Sequence, residues 1–275
     1  MFQFAEFLEA LRSPARGIVD ARRLAVITAH PDDEAIGCGA QLPRLSGITI
    51  VTVTDGAPRD LIDARARGFT SAQDYANARR VELRKALALA DVPDHDGLEL
   101  DLPDQEVALQ LAATTRALCE LFGIRNTRLA LTHAVEGGHP DHDAVALAVR
   151  AATALCARAG HKVSIVEMPY YRAGVGGIIH QTFVPAAARQ IRIKLDPWEQ
   201  ERKREMFAAH ASQASVLASF SLAEEKFRVA APFDFRTLPN RGQLLYDQYS
   251  SLLTGERWLA LVTAALRDLN LAPVL

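Results

Sequence analysis

The chain has 275 residues, of which 49% are hydrophobic and 23% are charged, as is ordinary for a soluble globular protein. Its net charge of -2 comes from acids and bases spread along the sequence, which excludes the basic surface of a nucleic-acid-binding protein. The N-terminus carries Glu6 and Glu9 among apolar residues and lacks the basic start of a signal peptide. No run approaches the roughly 18 uninterrupted apolar residues of a membrane span, so we expect a cytoplasmic protein without a transmembrane segment.

The three cysteines, Cys38, Cys119 and Cys156, are far apart in the sequence and form no CxxC pair. This arrangement excludes a disulfide framework and a thiolate zinc site. We expect each of them to be an isolated small apolar residue in a reducing compartment.

Short apolar runs alternate with longer helical patterns from the N-terminus to about residue 168. An amphipathic helix is predicted within residues 1–20, because Phe4, Phe7 and Leu11 fall at helical spacing. Strands are predicted at residues 24–28, 48–54, 98–102, 128–132 and 162–168. Helices are predicted at about residues 75–90, 105–122 and 141–159. This alternation predicts a Rossmann-like α/β fold, in which helices cover both faces of a mostly parallel sheet.

The last third of the chain has a different pattern. Residues 170–195, which include Gly174, Gly176 and Gly177, are predicted to form a loop or hairpin. Residues from about 196 to 275 are predicted to be a mostly helical elaboration, apart from a proline-containing stretch near 233–239. Because no internal repeat or low-complexity linker interrupts the sequence, we expect a single domain over residues 1–275.

Two polar turns follow predicted strands and share the tripeptide His-Pro-Asp. Residues 29–34 read Ala-His-Pro-Asp-Asp-Glu, and residues 139–142 read His-Pro-Asp-His. Functional groups of open α/β sheets collect at the carboxyl ends of the strands. A nucleotide-binding protein would have a GxGxxG turn at the first position, and this chain does not. For either turn alone, capping of the following helix is the plain structural alternative.

Each turn places two candidate metal ligands three residues apart, His30 with Asp33 and His139 with His142. Imidazole and carboxylate groups suit zinc, and two histidines with one carboxylate leave a fourth position for water. One metal ion needs only three of these groups. The surplus, Asp32 and either His139 or His142, matches the base and the electrostatic helper that a hydrolase requires.

With these two motifs the chain resembles the LmbE-like or PIG-L-type zinc-dependent de-N-acetylases, which include N-acetylglucosaminyl-phosphatidylinositol, mycothiol and bacillithiol deacetylases. Supporting segments are Arg-Arg-Val-Glu at 79–82, Leu-Pro-Asp at 102–104, Lys203, and Ala-His-Ala-Ser-Gln at 209–213. The resemblance extends from about residue 24 to residue 213. It implies a metal-dependent hydrolase that removes an N-acetyl group, through cleavage of a linear amide, from an N-acetylglucosamine-containing glycoconjugate.

The resemblance also implies a role for each residue of the two motifs. His30, Asp33 and His142 would bind Zn2+, and ligand type alone leaves Fe2+ as the alternative metal. Asp32 would be the general base. His139 would be the general acid and would stabilise the oxyanion.

Four further positions are compared with the family in the same way. Asp141 would orient His139, and Arg79 and Asp104 resemble substrate contacts. Gly137 stands where thiol-pathway members can carry a tyrosine, so the role of that tyrosine does not transfer to this chain.

Several of these polar residues have a plain structural interpretation as well. Arg79 and Glu82 have the spacing of a surface pair on a helix, and Asp104 has the position of a cap for the helix that starts near residue 105. The tyrosines at 170–171 are candidates for stacking on a sugar ring or for packing at a strand end. His210 is a candidate for the rim of the pocket or for the core.

The sequence leaves two alternatives to a sugar deacetylase. One is an amidase that acts on a thiol conjugate or another non-sugar amide. The other belongs to a different class, an inactive sugar-binding module, which would not need both Asp32 and His139. The expected partner is a small molecule or glycoconjugate that carries an acetamido sugar.

Overall fold

The computed structural model of the chain describes residues 4–185, 188–248 and 253–275. The strands in these ranges are β1 Val19–Asp20, β2 Leu24–Thr28, β3 Leu45–Ser46, β4 Thr49–Pro58, β5 Gly97–Asp104, β6 Leu129–His133, β7 Ser164–Met168, β8 Tyr171–Gly174, β9 Gly177–His180, β10 Gln190–Lys194 and β11 Glu224–Val229. The α-helices are α1 Phe4–Arg12, α2 Asp33–Cys38, α3 Ile62–Ala66, α4 Ala72–Leu89, α5 Leu111–Ile124, α6 Pro140–Arg158, α7 Pro197–Ala209, α8 Ala214–Leu217 and α9 Gly255–Asp268. Small parts of three predicted segments, residues 1–3, 186–187 and 249–252, lie outside the described residues.

A seven-stranded sheet has the strand order β10-β11-β7-β6-β2-β4-β5. The five strands from β7 to β5 are parallel, whereas β11 and β10 pair antiparallel at one edge. Within the parallel part, β2 lies between β4 and β6, with Ala25 opposite Thr49 and Leu24 opposite Leu129. The predicted mostly parallel α/β sheet is confirmed.

Helices cover both faces of β2, which explains the uninterrupted apolar sequence of this strand. Leu24 and Val26 pack in one core with residues of α1, α2, α4 and α7. Ala25 and Ile27 pack in a second core with residues of α5, α6 and α9. Because successive side chains of a strand point to opposite faces, β2 contributes to both cores and its carboxyl end lies between the two helix layers.

The C-terminal part contains the expected hairpin and helices, together with two strands that the sequence did not predict. β8 and β9 form the antiparallel hairpin, and β10 and β11 extend the main sheet. Charged residues conceal β11 in the sequence, because Glu225 is buried against Lys203 and Arg228 is buried against Glu167. Such buried ion pairs have no apolar signature. The assignment of residues 1–275 to one domain stays a prediction.

The segment that contains α5 is long and apolar. By length and composition alone, Val107–Ile124 is apolar enough to cross a membrane, and the core helix of a globular protein has the same profile. In the structure this segment packs against α6 and α9.

Cys119 of α5 and Cys156 of α6 lie with their Sγ atoms 3.0 Å apart. The expectation of three isolated cysteines is therefore wrong for these two.

Candidate metal centre

The two His-Pro-Asp turns meet at the carboxyl edge of the sheet. The first turn runs from the end of β2 into α2, and the second precedes α6, with His139 at the N-cap position. Asp104, the last residue of β5, extends to the same place and contacts His30. The parallel topology thus brings His30 and His142 together although they are 112 positions apart in the sequence.

Three buried side chains of the two turns converge on one another. Nδ1 of His30 lies 3.3 Å from Oδ2 of Asp33, and Nε2 of His142 lies 3.3 Å from Oδ1 of Asp33. The facing nitrogens of His30 and His142 are also 3.3 Å apart. Sets of ligand atoms within 4.8 Å of one another include His30, His139 and His142, and Asp33, His133 and His142. This buried His and Asp cluster can bind a metal ion.

Two carboxylates fix the orientation of the His30 ring. Nε2 of His30 lies 3.1 Å from Oδ1 of Asp104 and 3.3 Å from Oδ2 of Asp141. A proton on Nε2 satisfies these carboxylates and leaves the lone pair of Nδ1 facing Asp33 and His142. Carboxylates commonly orient metal-binding histidines in this way. Burial disfavours the charged ring, yet the charge of Asp104 and the hydrogen bonds from the carboxylates raise the pKa of His30 well above its ordinary value.

His142 presents Nε2 to the cluster and is held from behind by another imidazole. Its ring stacks on His133 with a centroid distance of 4.1 Å and an interplanar angle of 15°. Among the described residues, Nδ1 of His142 has no hydrogen-bond partner. Nε2 of His133 accepts the backbone N–H of Ala29 at 2.8 Å, so His133 is neutral, and burial lowers its pKa. Nε2 of His133 also lies 3.5 Å from Oδ2 of Asp33, but it already accepts the N–H of Ala29, so His133 supports His142 and the first turn.

Asp32 has a strained backbone and a buried carboxylate next to the cluster. Its φ is 134° and its ψ is -24°, a conformation that costs energy for a residue with a Cβ atom. Oδ1 of Asp32 lies 3.2 Å from the Arg79 guanidinium. Burial raises the pKa of Asp32 to about 7, a shift that Arg79 opposes and Asp33 reinforces. A carboxylate that titrates near neutral pH is suited to accept a proton.

His139 is fixed by the first turn of α6. Its Nδ1 accepts the backbone N–H of Asp141 at 3.2 Å, which places the ring proton on Nε2. Nε2 lies 3.7 Å from Oδ1 of Asp104, and the side chain is 13% exposed, more than the ligand candidates. Burial and the nearby charge of His30 lower the pKa of His139 well below its ordinary value.

Asp141 differs in detail from the role that the resemblance implies. Its backbone N–H, and not its carboxylate, contacts His139. The carboxylate accepts the backbone N–H groups of Gln105 and Val107 at 2.6 and 3.1 Å and also contacts His30. Asp141 is in the first turn of α6, so these hydrogen bonds hold the start of α6 against the segment that follows β5.

The two residues expected to contact substrate, Arg79 and Asp104, are only 4% and 7% exposed. Arg79 donates to the backbone oxygen of Pro31 at 2.7 Å and contacts Asp32, so it braces the first turn from α4. Glu82 is not its surface partner, since that carboxylate accepts from the backbone and hydroxyl groups of Ser212. Both Arg79 and Asp104 position other residues of the site in this structure.

Glu34 and His210 form a buried pair that sequence reasoning did not connect. Nε2 of His210 lies 2.9 Å from Oε1 of Glu34, and Oε2 of Glu34 accepts the backbone N–H of Asp32 at 3.0 Å. Both side chains are fully buried. Burial disfavours charge on His210, but the charge of Glu34 prevails and raises its pKa. His210 therefore holds the Asp32 turn through Glu34, and the only sequence signal was its place in the segment 209–213.

The tyrosines at 170–171 have different positions. Tyr170 is fully buried, its hydroxyl donates to the backbone oxygen of Asp33 at 3.1 Å, and its ring contacts His133 and His142. Tyr171 is half-buried and packs edge-on against His142 at 5.5 Å between ring centroids. Glu136, which sequence reasoning missed, accepts the backbone N–H groups of both tyrosines. Both tyrosines therefore pack against His142, Tyr170 from the buried interior and Tyr171 from the start of the β8–β9 hairpin.

Together the sheet, its two turns and the convergent side chains define a Rossmann-like α/β protein with a candidate metal centre at the carboxyl edge of the strands. Residues 25–153 match the model of the family described as PIG-L: GlcNAc-PI de-N-acetylase. This segment contains most of β2, β3 to β6, most of α6 and every candidate ligand. This segment is therefore similar to the PIG-L family, and the resemblance seen in the sequence is confirmed there.

Curated relatives match somewhat less than half of the chain. The 1D-myo-inositol 2-acetamido-2-deoxy-alpha-D-glucopyranoside deacetylase 1 of Saccharopolyspora erythraea is 31% identical over 150 residues, covering 44% of this chain and 50% of the relative. Deacetylase 2 of the same description from Catenulispora acidiphila is 29% identical over 157 residues, covering 48% of this chain and 52% of the relative. The alignments thus reach only about half of the length of these relatives.

Solved structures share the fold over a larger part of the chain. The structure of the A40926 pseudoaglycone deacetylase has a TM-score of 0.57 and 21% identity, covering 77% of this chain and all of that chain. The N,N'-diacetylchitobiose deacetylase from Pyrococcus horikoshii has a TM-score of 0.57 and 18% identity, covering 84% of this chain and 94% of that chain. At these identities the likeness establishes the α/β fold.

Proposed function

We propose that the chain is a zinc-dependent hydrolase that removes the N-acetyl group from an N-acetylglucosamine-containing glycoconjugate. The observation that carries the proposal is the convergence of His30, Asp33 and His142, with Asp32 and His139 as their neighbours. Two imidazoles and one carboxylate form the ligand set of many hydrolytic zinc sites and leave a fourth position open. The family match and the names of the curated relatives support the same class of reaction.

The spacing of the two imidazole nitrogens supports their binding to one ion. Zinc bonds of about 2.0–2.1 Å to imidazole and carboxylate place neighbouring ligands of a tetrahedron roughly 3.3–3.4 Å apart. Nδ1 of His30 and Nε2 of His142 are 3.3 Å apart, whereas Asp33 contacts His30 through Oδ2 and His142 through Oδ1, each at 3.3 Å. Fe2+ accepts the same ligand types, and the proposal of zinc rests on the set of two imidazoles and one carboxylate.

The proposed mechanism uses the two residues that flank the ligand set. Zinc held by these ligands would polarise the amide carbonyl and acidify the attacking water. Asp32 would accept the proton of that water, and Arg79 would hold its carboxylate in place. His139 carries its ring proton on Nε2, because Nδ1 accepts the amide of Asp141. Its neutral ring would donate a hydrogen bond to the developing oxyanion, and the proton that Asp32 takes from the water would pass to the leaving amine.

The names of the relatives support an acetamido sugar as the substrate. The curated relatives are described as acting on a 2-acetamido-2-deoxy-glucopyranoside, and one solved neighbour is described as a diacetylchitobiose deacetylase. The half-buried Tyr171, which packs on His142, offers a ring beside the proposed site. An inactive sugar-binding module is disfavoured, because it would not need Asp32 and His139 beside the ligand set.

Measured acetate release tests the substrate class. The zinc-loaded chain should release acetate from N-acetylglucosamine glycosides faster than from N-acetylated peptides and thiol conjugates. Turnover of non-sugar amides with no hydrolysis of any acetamido sugar would establish the amidase alternative instead.

Metal analysis of His142→Ala tests the site independently of the substrate. This variant should lose most of its bound zinc, because one of three protein ligands is removed. His161→Ala is the matched control, since His161 bonds the backbone oxygen of Thr127 away from the cluster. Full zinc retention by His142→Ala would contradict the proposed ligand set.

A further inference from the structure

Two thiols on neighbouring helices lie in contact away from the metal centre. Cys119 is in α5 and Cys156 is in α6, and their Sγ atoms are 3.0 Å apart. The Sγ of Cys156 also lies 3.5 Å from the backbone oxygen of Cys119. Cys156 is buried and Cys119 is half-buried, so the pair is at the edge of the interface between the two helices. The metal centre and the proposed reaction do not involve either thiol.

The contact is more than a space-filling arrangement of two small apolar residues. A thiol is a weak hydrogen-bond donor and a weak acceptor, so the thiol pair adds little hydrogen-bond energy between the two helices. A disulfide bond is about 2.05 Å long, so the sulfur atoms would have to approach by only about 1 Å to form one. Since α5 and α6 already pack together, this movement needs side-chain adjustment rather than rearrangement of the helices.

We propose that Cys119 and Cys156 form a reversible disulfide that clamps α5 to α6 when the protein meets a hydroperoxide. The half-buried Cys119 thiolate would attack the peroxide oxygen, giving a sulfenic acid on Cys119 and releasing an alkoxide or hydroxide that takes up a proton. The Cys156 sulfur would then attack the Cys119 sulfur, and the sulfenic oxygen would leave as water. Overall two thiols lose two electrons and two protons, and the peroxide is reduced. A dithiol reductant reverses the change.

The environments of the two thiols determine which of them reacts first with the peroxide. Burial and the neighbouring Cys119 raise the pKa of Cys156 to about 12, so Cys156 does not ionise first. Cys119 has access to solvent and to a small oxidant. Cys38 is buried, and burial together with the charge of Glu225 raises its pKa well above the ordinary value. Cys38 is therefore an internal control, whose thiol should stay reduced.

The clamp is expected to change stability rather than catalysis. It would close a loop that contains β6, the second His-Pro-Asp turn and most of α6. Closing a loop restricts the unfolded chain, which raises stability if the bond is unstrained. Cys156 lies about 21 Å along α6 from His142, so the bond should leave the ligand set in place.

Thiol mapping of the full chain tests the proposal. The protein is treated with one equivalent of hydrogen peroxide, denatured and alkylated without reductant, and then digested for mass spectrometry. We expect three alkylated cysteines before oxidation and one, Cys38, afterwards, with a peptide that joins residues 119 and 156. A thiol reductant should restore all three. Over-oxidised Cys119 without a cross-link, a bridge between two chains, or a link to Cys38 would each overturn the proposal.

Thermal unfolding gives a second readout. Oxidation should raise the Tm of the wild type and of Cys38→Ser, and it should leave the Tm of Cys119→Ser and Cys156→Ser unchanged. If either serine variant does not fold, the mapping of the wild-type protein still decides whether the bond forms. An equal Tm for the oxidised and reduced wild type, with the cross-link present, would contradict the clamp.

Discussion

The carboxylate of Asp104 lies 3.1 Å from Nε2 of His30, on the side of the ring that faces away from Asp33. This contact determines which nitrogen of His30 is free to bind a metal ion, because a proton on Nε2 leaves the lone pair on Nδ1. Although burial disfavours ionisation, the charge of His30 keeps the pKa of Asp104 below its ordinary value. Asp104 is therefore an ionised acceptor that positions His30 from the end of β5.

Removal of this acceptor should weaken the metal site. We expect Asp104→Ala to reduce zinc affinity by about 10–100-fold, the usual effect of losing a carboxylate that orients a metal-binding histidine. Asp104→Asn keeps an oxygen acceptor and should lose less. Competition with a chromogenic chelator measures both affinities. Unchanged affinity with a raised KM would indicate that Asp104 contacts substrate instead.

A substitution at Gly56 can disturb the contacts of Arg79 with Pro31 and Asp32 while leaving these three residues unchanged. Gly56 has a φ of +68°, and a Cβ atom added there would collide with the Arg79 guanidinium. We expect Gly56→Ala to displace Arg79 from Pro31 and Asp32 and to lower kcat on the order of 10²-fold, since displacement of a catalytic group by about 1 Å can cost that much. Steady-state kinetics at saturating zinc measure the effect.

Gly68→Ala is the matched control for this substitution. Gly68 also has a positive φ, +82°, but an added Cβ atom would meet nothing within 4 Å. Both variants should lose similar stability from backbone strain, of about 1–2 kcal/mol. An equal fall in kcat in both would show that strain, and not displacement of Arg79, causes the loss.

The buried pair of Glu34 and His210 should make a large contribution to stability. We expect His210→Ala to lower the free energy of unfolding by about 3–5 kcal/mol, because it leaves the Glu34 carboxylate buried without its partner. His210→Gln retains a donor and should recover part of this loss. Denaturant unfolding measures the differences. The half-buried His161 makes one hydrogen bond, so His161→Ala should cost only about 1 kcal/mol, and an equal loss in both variants would contradict the pairing.

The sequence predicts the parallel part of the fold because its strands are continuous apolar runs. The apolar runs at residues 24–27 and 129–131 are buried on both faces, so nothing polar interrupts their pattern. β11 has no such signature, since its charged residues are buried in ion pairs with partners on α7 and β7. Which charge finds a partner depends on the tertiary arrangement, and the sequence alone does not contain that information.

The candidate site also has residues that the sequence predicts and residues that only the structure relates to one another. The ligand candidates His30, Asp33 and His142 are recognisable because each belongs to a short local motif. The connection between Glu34 and His210 spans 176 positions, and no local spacing relates the two residues. Arg79 has the spacing of a surface pair with Glu82, and only the packing of α4 against the sheet shows that it faces Asp32.

The adjacent acids Asp32 and Asp33 should not be interchangeable. The carboxylate of Asp33 lies against the nitrogens of His30 and His142, whereas the carboxylate of Asp32 lies against Arg79. A ligand must bond the ion, while a base needs only hydrogen-bond reach of the attacking water. Asp32→Asn should therefore keep zinc and lose a factor on the order of 10²–10⁴ in kcat.

Asp33→Asn should show the opposite pattern, because it removes the proposed charged ligand and leaves the proposed base in place. We expect weakened zinc binding and a partial return of activity when zinc is added in excess. His139→Ala should resemble Asp32→Asn, with metal retained and rate lost, because the proposed mechanism uses His139 as a hydrogen-bond donor to the substrate and not as a ligand. Zinc content and kcat measured on the same preparations distinguish the roles. If Asp32→Asn loses its zinc while Asp33→Asn keeps both metal and rate, the two roles are exchanged and the proposed mechanism is wrong.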